Sequence, residues 1–560
     1  MITCLNVRYP FVGHDFASFL PYLIEGQWHI AHQGWIPLWY GVHLCGGLPI
    51  QGNPNSFFYS HLQLLGQVFS PWTAFQLSIL LVLIAGYAAW YGSARRAWNL
   101  QPAWAHTLAL LCTTNGFHVV HALVGHINFL MAPLLGAYPW ILLDQRADTR
   151  HSLLVRSAAG ALLTATILHA AGAYVLLFGL LLLLPLTLLD ILLALRPWER
   201  FRIIARRALV CGVLSVLLCA EKIVAILSLM HTFPRTASMS QLPLLAVPKY
   251  IVLALWALPQ KPELYRGISW EFHEQFLPIS PVVALGLLCA AALAWHERSA
   301  LVRRWRRNGV VLGIGALTLL VFMELIAGHG IIGSSLVHLP VFSSLRVSLR
   351  FLYPLSLLLT IGAILVLQRS TYQLEPDNEH STTVLIGIIT ILSLMATITP
   401  LTLQRVRLNY NIAATEDRLR DVRPEWLYTP VTSIDDAVLP SFNGTSSLKC
   451  DFDALFVWAR QPQKLMLHIG PVDDVADGTF NMINPACYVY PQENDCKPGD
   501  RIRAEDRENL MRFTHGEKVT WRMSLLQRIA NWTSLLVLLF CMGIILSQGH
   551  PWKSYRKQRT

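Results

Sequence analysis

Residues 172–207 read GAYVLLFGLLLLLPLTLLDILLALRPWERFRIIARR. From Gly172 to Leu193 the only charge is Asp190, and then Arg196, Arg200, Arg202, Arg206 and Arg207 follow together. A helix that crosses a bilayer needs roughly 20 apolar residues. Clustered arginines next to such a run mark the loop that stays in the cytoplasm. The stretch therefore reads as a membrane span that ends in a basic cytoplasmic loop.

The same reading extends along the chain. Further apolar runs lie near 74–93, 103–120, 127–143, 152–170, 208–227, 277–295, 309–327, 350–368, 383–400 and 529–547. With 172–193 they predict about eleven transmembrane helices. The run 246–258 is short and flanked by prolines, and reads as re-entrant or interfacial. If the spans alternate, the basic groups at Arg95–Arg96, Arg146–Arg156, Arg196–Arg207, Arg298–Arg307, Arg369 and the tail Lys553–Arg559 all fall on one side. The net charge of +11 is thus a topology signal, not a nucleic-acid footprint. Of the whole chain 54% is apolar and 14% charged, with mean hydropathy +0.44. A soluble chain carries about 25% charged residues, so a cytosolic enzyme, a disordered chain and a nucleic-acid module are excluded.

Four regions follow. Residues 1–73 form a first extracytoplasmic loop with helices along the membrane surface, and 74–400 form the polytopic domain. Residues 401–527 are polar and read as a small extracytoplasmic α/β or β-rich domain, with strand-like alternation at Lys464–Ile469 and Lys518–Met523. Residues 528–560 supply a final span and a basic tail. Met1 to Val12 is too short and polar for a signal peptide or a span. An extracytoplasmic start therefore predicts a further span upstream of Met1. Five cysteines lie in apolar runs and read as buried small hydrophobes. Cys487 and Cys496 lie in the polar segment, where they could pair across a short loop if it is extracytoplasmic. Asn443 begins a sequon of little weight.

The first loop, GHDFASFLPYLIEGQWHIAHQGWIPLWYGVHLCGGLPIQGNPNSFFYSHLQLL, is rich in Trp, Tyr, Gly, Pro and His. Trp28, Trp35, Trp39 and Trp72 suit an interfacial belt. Asp15 and Glu25 are its only carboxylates. A carboxylate at a membrane boundary can act as a base, or merely cap a helix. His118, His121 and His126 follow, and with His14, Glu271, His273 and Glu274 they offer metal-ligand chemistry or polar packing. Glu221 and Lys222 interrupt an apolar run, where charge is costly and marks function by default. Lys222, Arg235, Arg346 and Arg350 fall at the extracytoplasmic ends of spans and suit a phosphate.

In order along the chain, GHDF, IPLWYGVHLCGGLPIQGNPNSFFY, GHINFL, AEKIVAIL, WEFHEQFLPIS and HLPVFSSLRVSLRF cover most of residues 13–355. This ordered set resembles the GT-C fold membrane glycosyltransferases, and within them the bacterial YfhO-like membrane proteins. The resemblance implies an all-α, GT-C-like protein of the bacterial cytoplasmic membrane, active on the extracytoplasmic side. It implies transfer of a sugar from a polyprenyl-phosphate donor to an envelope glycan, lipid or protein. Asp15 takes the place of the family's base. His14, Glu25, His126, Lys222, Arg235, Glu274, Arg346 and Arg350 are the candidate substrate-binding residues. Two features depart from the family: its first span is missing, and the loop has a single Asp, not an acidic pair. A divalent metal therefore stays open. A non-catalytic carrier of lipid-linked sugars and an envelope-assembly scaffold are the competing readings. A carrier has no need of an acidic residue in the first loop.

Overall fold

The computed structural model describes residues 11–13, 15–35, 51–146, 148–232, 241–256, 279–296, 305–337, 347–374, 467–515 and 521–547. It also describes Glu274, Leu277, Glu517 and short pieces between 386 and 447. Among these, seven helices are long and apolar enough to cross a membrane: Pro71–Arg96, Pro102–Val124, Arg150–His169, Ala173–Leu193, Gly309–Ala327, Ser348–Arg369 and Leu525–Leu546. The pair Pro197–Leu218 and Ala220–Thr232, bent by 66° at Cys219, makes eight when counted as one span. The chain is a multi-pass helical membrane protein.

Among the described residues, seven or eight membrane-length helices thus stand against the expected eleven, and three of the expected runs differ or fall outside for local reasons. Residues 127–143 are apolar, but Pro133, Gly136 and Pro139 break the run. It forms two 3-10 turns, Ile127–Phe129 and Ala132–Gly136, and a seven-residue helix, Ala137–Leu143. The run 277–295 yields a helix of 16 residues, Pro281–His296, which reaches only about 24 Å at 1.5 Å per residue. Over the described residues that is short of a hydrocarbon core of about 30 Å. Of 383–400, most lies outside the described residues. Residues 244–255 form a short apolar segment, a 3-10 turn running into Val247–Leu255.

Helix starts follow from the sequence. Ser70, Asn115 and Ser524 each accept a backbone N–H two or three residues on, from Thr73, Phe117 and Gln527. Thr149 and Ser152 form a reciprocal cap, and Pro71 and Pro102 open their helices where a missing N–H costs nothing. The helical segment 102–124 is buried almost throughout. Trp90, Trp104, Phe117 and Tyr353 are fully buried in the core around it. Leu525–Leu546 instead exposes Leu525, Trp532, Leu536 and Leu546, as a helix facing lipid does.

Buried polar contacts fix which helix ends lie together. Arg207 donates to the carbonyls of Leu142, Asp144 and Arg146, and to both oxygens of Asp148. Arg200 donates to Asp190 at 2.6 Å and to the Leu143 carbonyl at 2.7 Å. Burial alone would raise the Asp148 carboxyl, but Arg207, Arg156 and Arg206 outweigh it and hold it below the usual carboxylate range. At the other end His169 meets Glu221 at 2.9 Å, and Gln527 donates to the Glu221 carbonyl at 2.9 Å. Residues 127–143, though broken, therefore still carry the chain back to the basic end.

Near the C-terminus, Val475–Ala476, Thr479–Ile483 and Arg501–Arg503 form a three-stranded antiparallel sheet in that order, with Thr479–Ile483 central. The first two strands are joined at Asp477-Gly478, both with positive φ, the conformation a two-residue hairpin requires. The alternating segments expected as strands differ: the described residues 467–469 and 521–523 are not strands. Cys487 and Cys496 are bridged, with Cα atoms 5.9 Å apart. Trp72 is buried against Phe16 and Phe75, not in an interfacial belt, whereas Trp35 is half-exposed. Trp39, the Trp28 side chain and Asn443 lie outside the described residues.

Candidate functional site

Asp15 is the first residue of the helix Asp15–Gln33. The short strand Phe11–Gly13 precedes it and pairs antiparallel with Leu408–Asn411. A carboxylate in the first turn is favoured by the helix dipole. Two glycines bring this turn against the end of the segment 102–124. A Cβ on Gly13 would fall 2.2 Å from the Val124 backbone, and one on Gly125 would fall 2.6 Å from the Phe16 nitrogen. Gly125 also has φ +95°, which ends the helix Gly116–Val124 and returns its N–H to the His121 carbonyl. The next residue, His126, meets the Asp15 carboxylate through Nε2. Both side chains keep partial exposure, 13% and 16%.

Behind this pair the groups become more deeply buried. His121 is fully buried, and its Nε2 lies 3.6 Å from a Glu274 oxygen. Its other ring nitrogen, Nδ1, lies 2.8 Å from the Phe117 carbonyl. A carbonyl only accepts, so Nδ1 carries the proton. Arg350 binds both Glu274 oxygens, through Nε at 3.0 Å and through Nη2. Its guanidinium also lies 4.9 Å from the centre of the Phe129 ring. Phe117, Phe129 and Tyr353 wall this group with ring contacts. Burial by itself raises the Glu274 carboxyl, but Arg350 and then His121 hold it well below the usual carboxylate range. Asp15, His126, His121, Glu274 and Arg350 thus form one continuous polar chain from a partly exposed end to a dry interior.

The other sequence candidates fall elsewhere. Lys222 is buried and donates to the Asn53 carbonyl at 2.8 Å. It sits beside Glu221, which His169 and Gln51 engage, and Gln51 in turn reaches Asn531. This is a second polar group at the same end of the bundle. Glu25 is buried further along the Asp15 helix, about 15 Å on at 1.5 Å per residue. His118 packs against the Phe129 backbone. His14, Arg235, Arg346, Glu271 and His273 lie outside the described residues. His169, Gln51 and Asn531 were missed by sequence reasoning. His169 ends an apolar run, which was the one available signal. Phe129 carried no signal at all, since any apolar residue reads alike there.

Among the described residues, His121, His126 and Glu274 form the one group of three whose ligand-type atoms all lie within 4.8 Å of one another. Two imidazoles and a carboxylate can share a metal ion or relay a proton. Neither a protein-family model nor a curated protein matches the chain. What sequence and structure together establish is a multi-pass helical membrane protein, with a buried acid–histidine–arginine chain at the end opposite its basic loops.

Proposed function

We propose that the chain is a membrane glycosyltransferase of the GT-C kind, similar to the YfhO-like proteins. It moves a sugar from a polyprenyl-phosphate donor to an envelope glycan, lipid or protein on the extracytoplasmic side of a bacterial cytoplasmic membrane. The observation that carries the reading is the contact of Asp15 with His126 at a helix start. It combines a base with partial exposure, in front of the buried Glu274–Arg350 pair. The basic loops gather at the opposite end, which the positive-inside rule assigns to the cytoplasm. The Cys487–Cys496 bridge fits an oxidising compartment for the region 467–515.

In this reading the Asp15–His126 pair takes the proton from an acceptor hydroxyl. The hydroxyl oxygen attacks the anomeric carbon as the lipid phosphate departs with the bonding electrons. Cationic groups at this end stabilise the charge that grows on the phosphate. A positioned base contributes typically about 10²–10⁴-fold in rate.

The test is transfer from labelled polyprenyl-phosphate sugars to envelope extract by reconstituted protein, comparing wild type with Asp15→Asn. Label reaching the extract with wild type alone is the expected result. Equal transfer by Asp15→Asn removes the base assignment. Donor binding without transfer by either protein replaces the reading with a carrier of lipid-linked sugars.

A further inference from the structure

We infer that His121, His126 and Glu274 form a binding site for a divalent transition-metal ion, zinc first, with Asp15, the Phe117 carbonyl and Arg350 as its outer shell. One ligand-type atom from each of the three residues lies within 4.8 Å of the other two. Ligands about 2.0–2.2 Å from a common centre lie at most about 4.4 Å apart, so the three side chains need to close by only a few tenths of an ångström to share an ion. Two nitrogen donors and one carboxylate suit zinc better than magnesium or calcium, which prefer all-oxygen sets. Three protein ligands leave a coordination position open, the pattern of catalytic rather than structural zinc.

The second, independent observation is the state of each ligand's far side. A metal-bound histidine almost always gives its other ring nitrogen to a carbonyl or carboxylate, which fixes the tautomer and orients the lone pair. His121 does this through Nδ1 to the Phe117 carbonyl at 2.8 Å. Its remaining nitrogen, Nε2, is the one aimed at Glu274, at 3.6 Å. A cation between the two would take over the contact that Nε2 and Glu274 share. His126 holds Asp15 through Nε2, so the ring's other nitrogen is the one to coordinate. Glu274 is held by Arg350, and a carboxylate has lone pairs enough to accept an arginine and bind a metal together.

This site is defined by its own ligands and does not rest on the transferase reading. Its test reads metal directly. The full-length protein, purified in detergent with a tag free of histidine, is stripped with chelator and reloaded with cobalt(II) or zinc. The expected result is about one ion per chain, with the visible absorption of low-symmetry cobalt. Zinc should raise the melting temperature of the stripped protein. His126→Ala, at the partly exposed edge, should lose the ion while keeping a monodisperse elution profile. Asp15→Asn should keep the ion but bind it about 10–100-fold more weakly, as loss of an outer-shell partner does. Wild-type protein that elutes normally yet takes up no stoichiometric cobalt overturns the site. So does His126→Ala that binds as tightly as wild type. If His126→Ala fails to fold, the wild-type stoichiometry and cobalt spectrum decide alone. Metal binding with no sugar transfer would uphold the site and leave only the proposed activity in question.

Discussion

Arg207 and Arg350 are both buried guanidiniums that meet carboxylates, yet they sit in opposite kinds of surroundings. Arg207 uses all five of its N–H groups: three on carbonyls of 142–146 and two on Asp148. Asp148 is in turn shared with Arg156 and Arg206. Arg207 and Asp148 are closed to solvent, and the cluster ties the end of residues 137–143 to the helices on either side. At the other end, Arg350 and Glu274 are only the inner part of a chain. That chain continues through two imidazoles to a carboxylate with partial exposure. Saturation makes a fastening. A graded chain of titratable groups that ends in partial exposure has the makings of a site.

The comparison breaks first under substitution at each end. Asp15→Asn should lower sugar transfer by about 10²–10⁴-fold, the usual worth of a positioned base, with melting temperature and elution profile unchanged. Arg207→Gln should do the reverse. Removing one partner of a buried ion pair leaves the other charged in a dry place and costs about 3–5 kcal/mol. Folded yield and melting temperature should fall, and transfer per folded molecule should stay near wild type. The stabilisation at Asp148 comes from a carboxyl held below its ordinary value. It is therefore fully present above the unfolded carboxylate range, and is lost only as pH falls through the lower folded value. Thermal unfolding of wild type between about pH 5 and 8 should show no loss from this cluster. If Arg207→Gln instead abolished transfer in well-folded protein, the basic end would have to be reconsidered as a site.

The sequence made the membrane class and the basic end legible, because composition and charge placement act over long stretches. The number of crossings was less legible. Hydropathy registers 127–143 as a span, but Pro133, Gly136 and Pro139 break its backbone without making it less apolar. Asp15 and His126 stood out by residue type, and each is fixed by a local turn. The Glu274–Arg350 pair was not legible as a pair, since 76 residues separate its members. The five arginines of 196–207 looked alike in the sequence. Only packing separates Arg207, which is buried, from Arg196, which is exposed.

Gly125→Ala sharpens the comparison with a smaller effect. The residue sits at φ +95° with a Cβ position 2.6 Å from the Phe16 nitrogen. A non-glycine residue held there costs of order 1–3 kcal/mol. The strain acts on the two turns that carry His126 and Asp15. Transfer should therefore drop by more than the melting temperature alone accounts for. A variant that loses stability but transfers normally per folded molecule would mean that the Asp15–His126 contact is dispensable.

The smallest expected effect tests whether the basic end owes its role to charge or to burial. Arg196 and Glu199 form an ion pair at 3.2 Å at the start of the helix that carries Arg200 and Arg207, but their side chains are 77% and 60% exposed. Water screens such a pair, and ordering two long side chains offsets what attraction remains. Glu199→Gln should therefore shift stability by less than about 0.5 kcal/mol and leave transfer unchanged. Against the loss expected for Arg207→Gln, the contrast isolates burial as the cause, since Arg196 caps the same helix, Pro197–Leu218, that carries Arg207. A Glu199→Gln variant as unstable as Arg207→Gln would mean that the loop acts as a single charged network and not through its one saturated arginine.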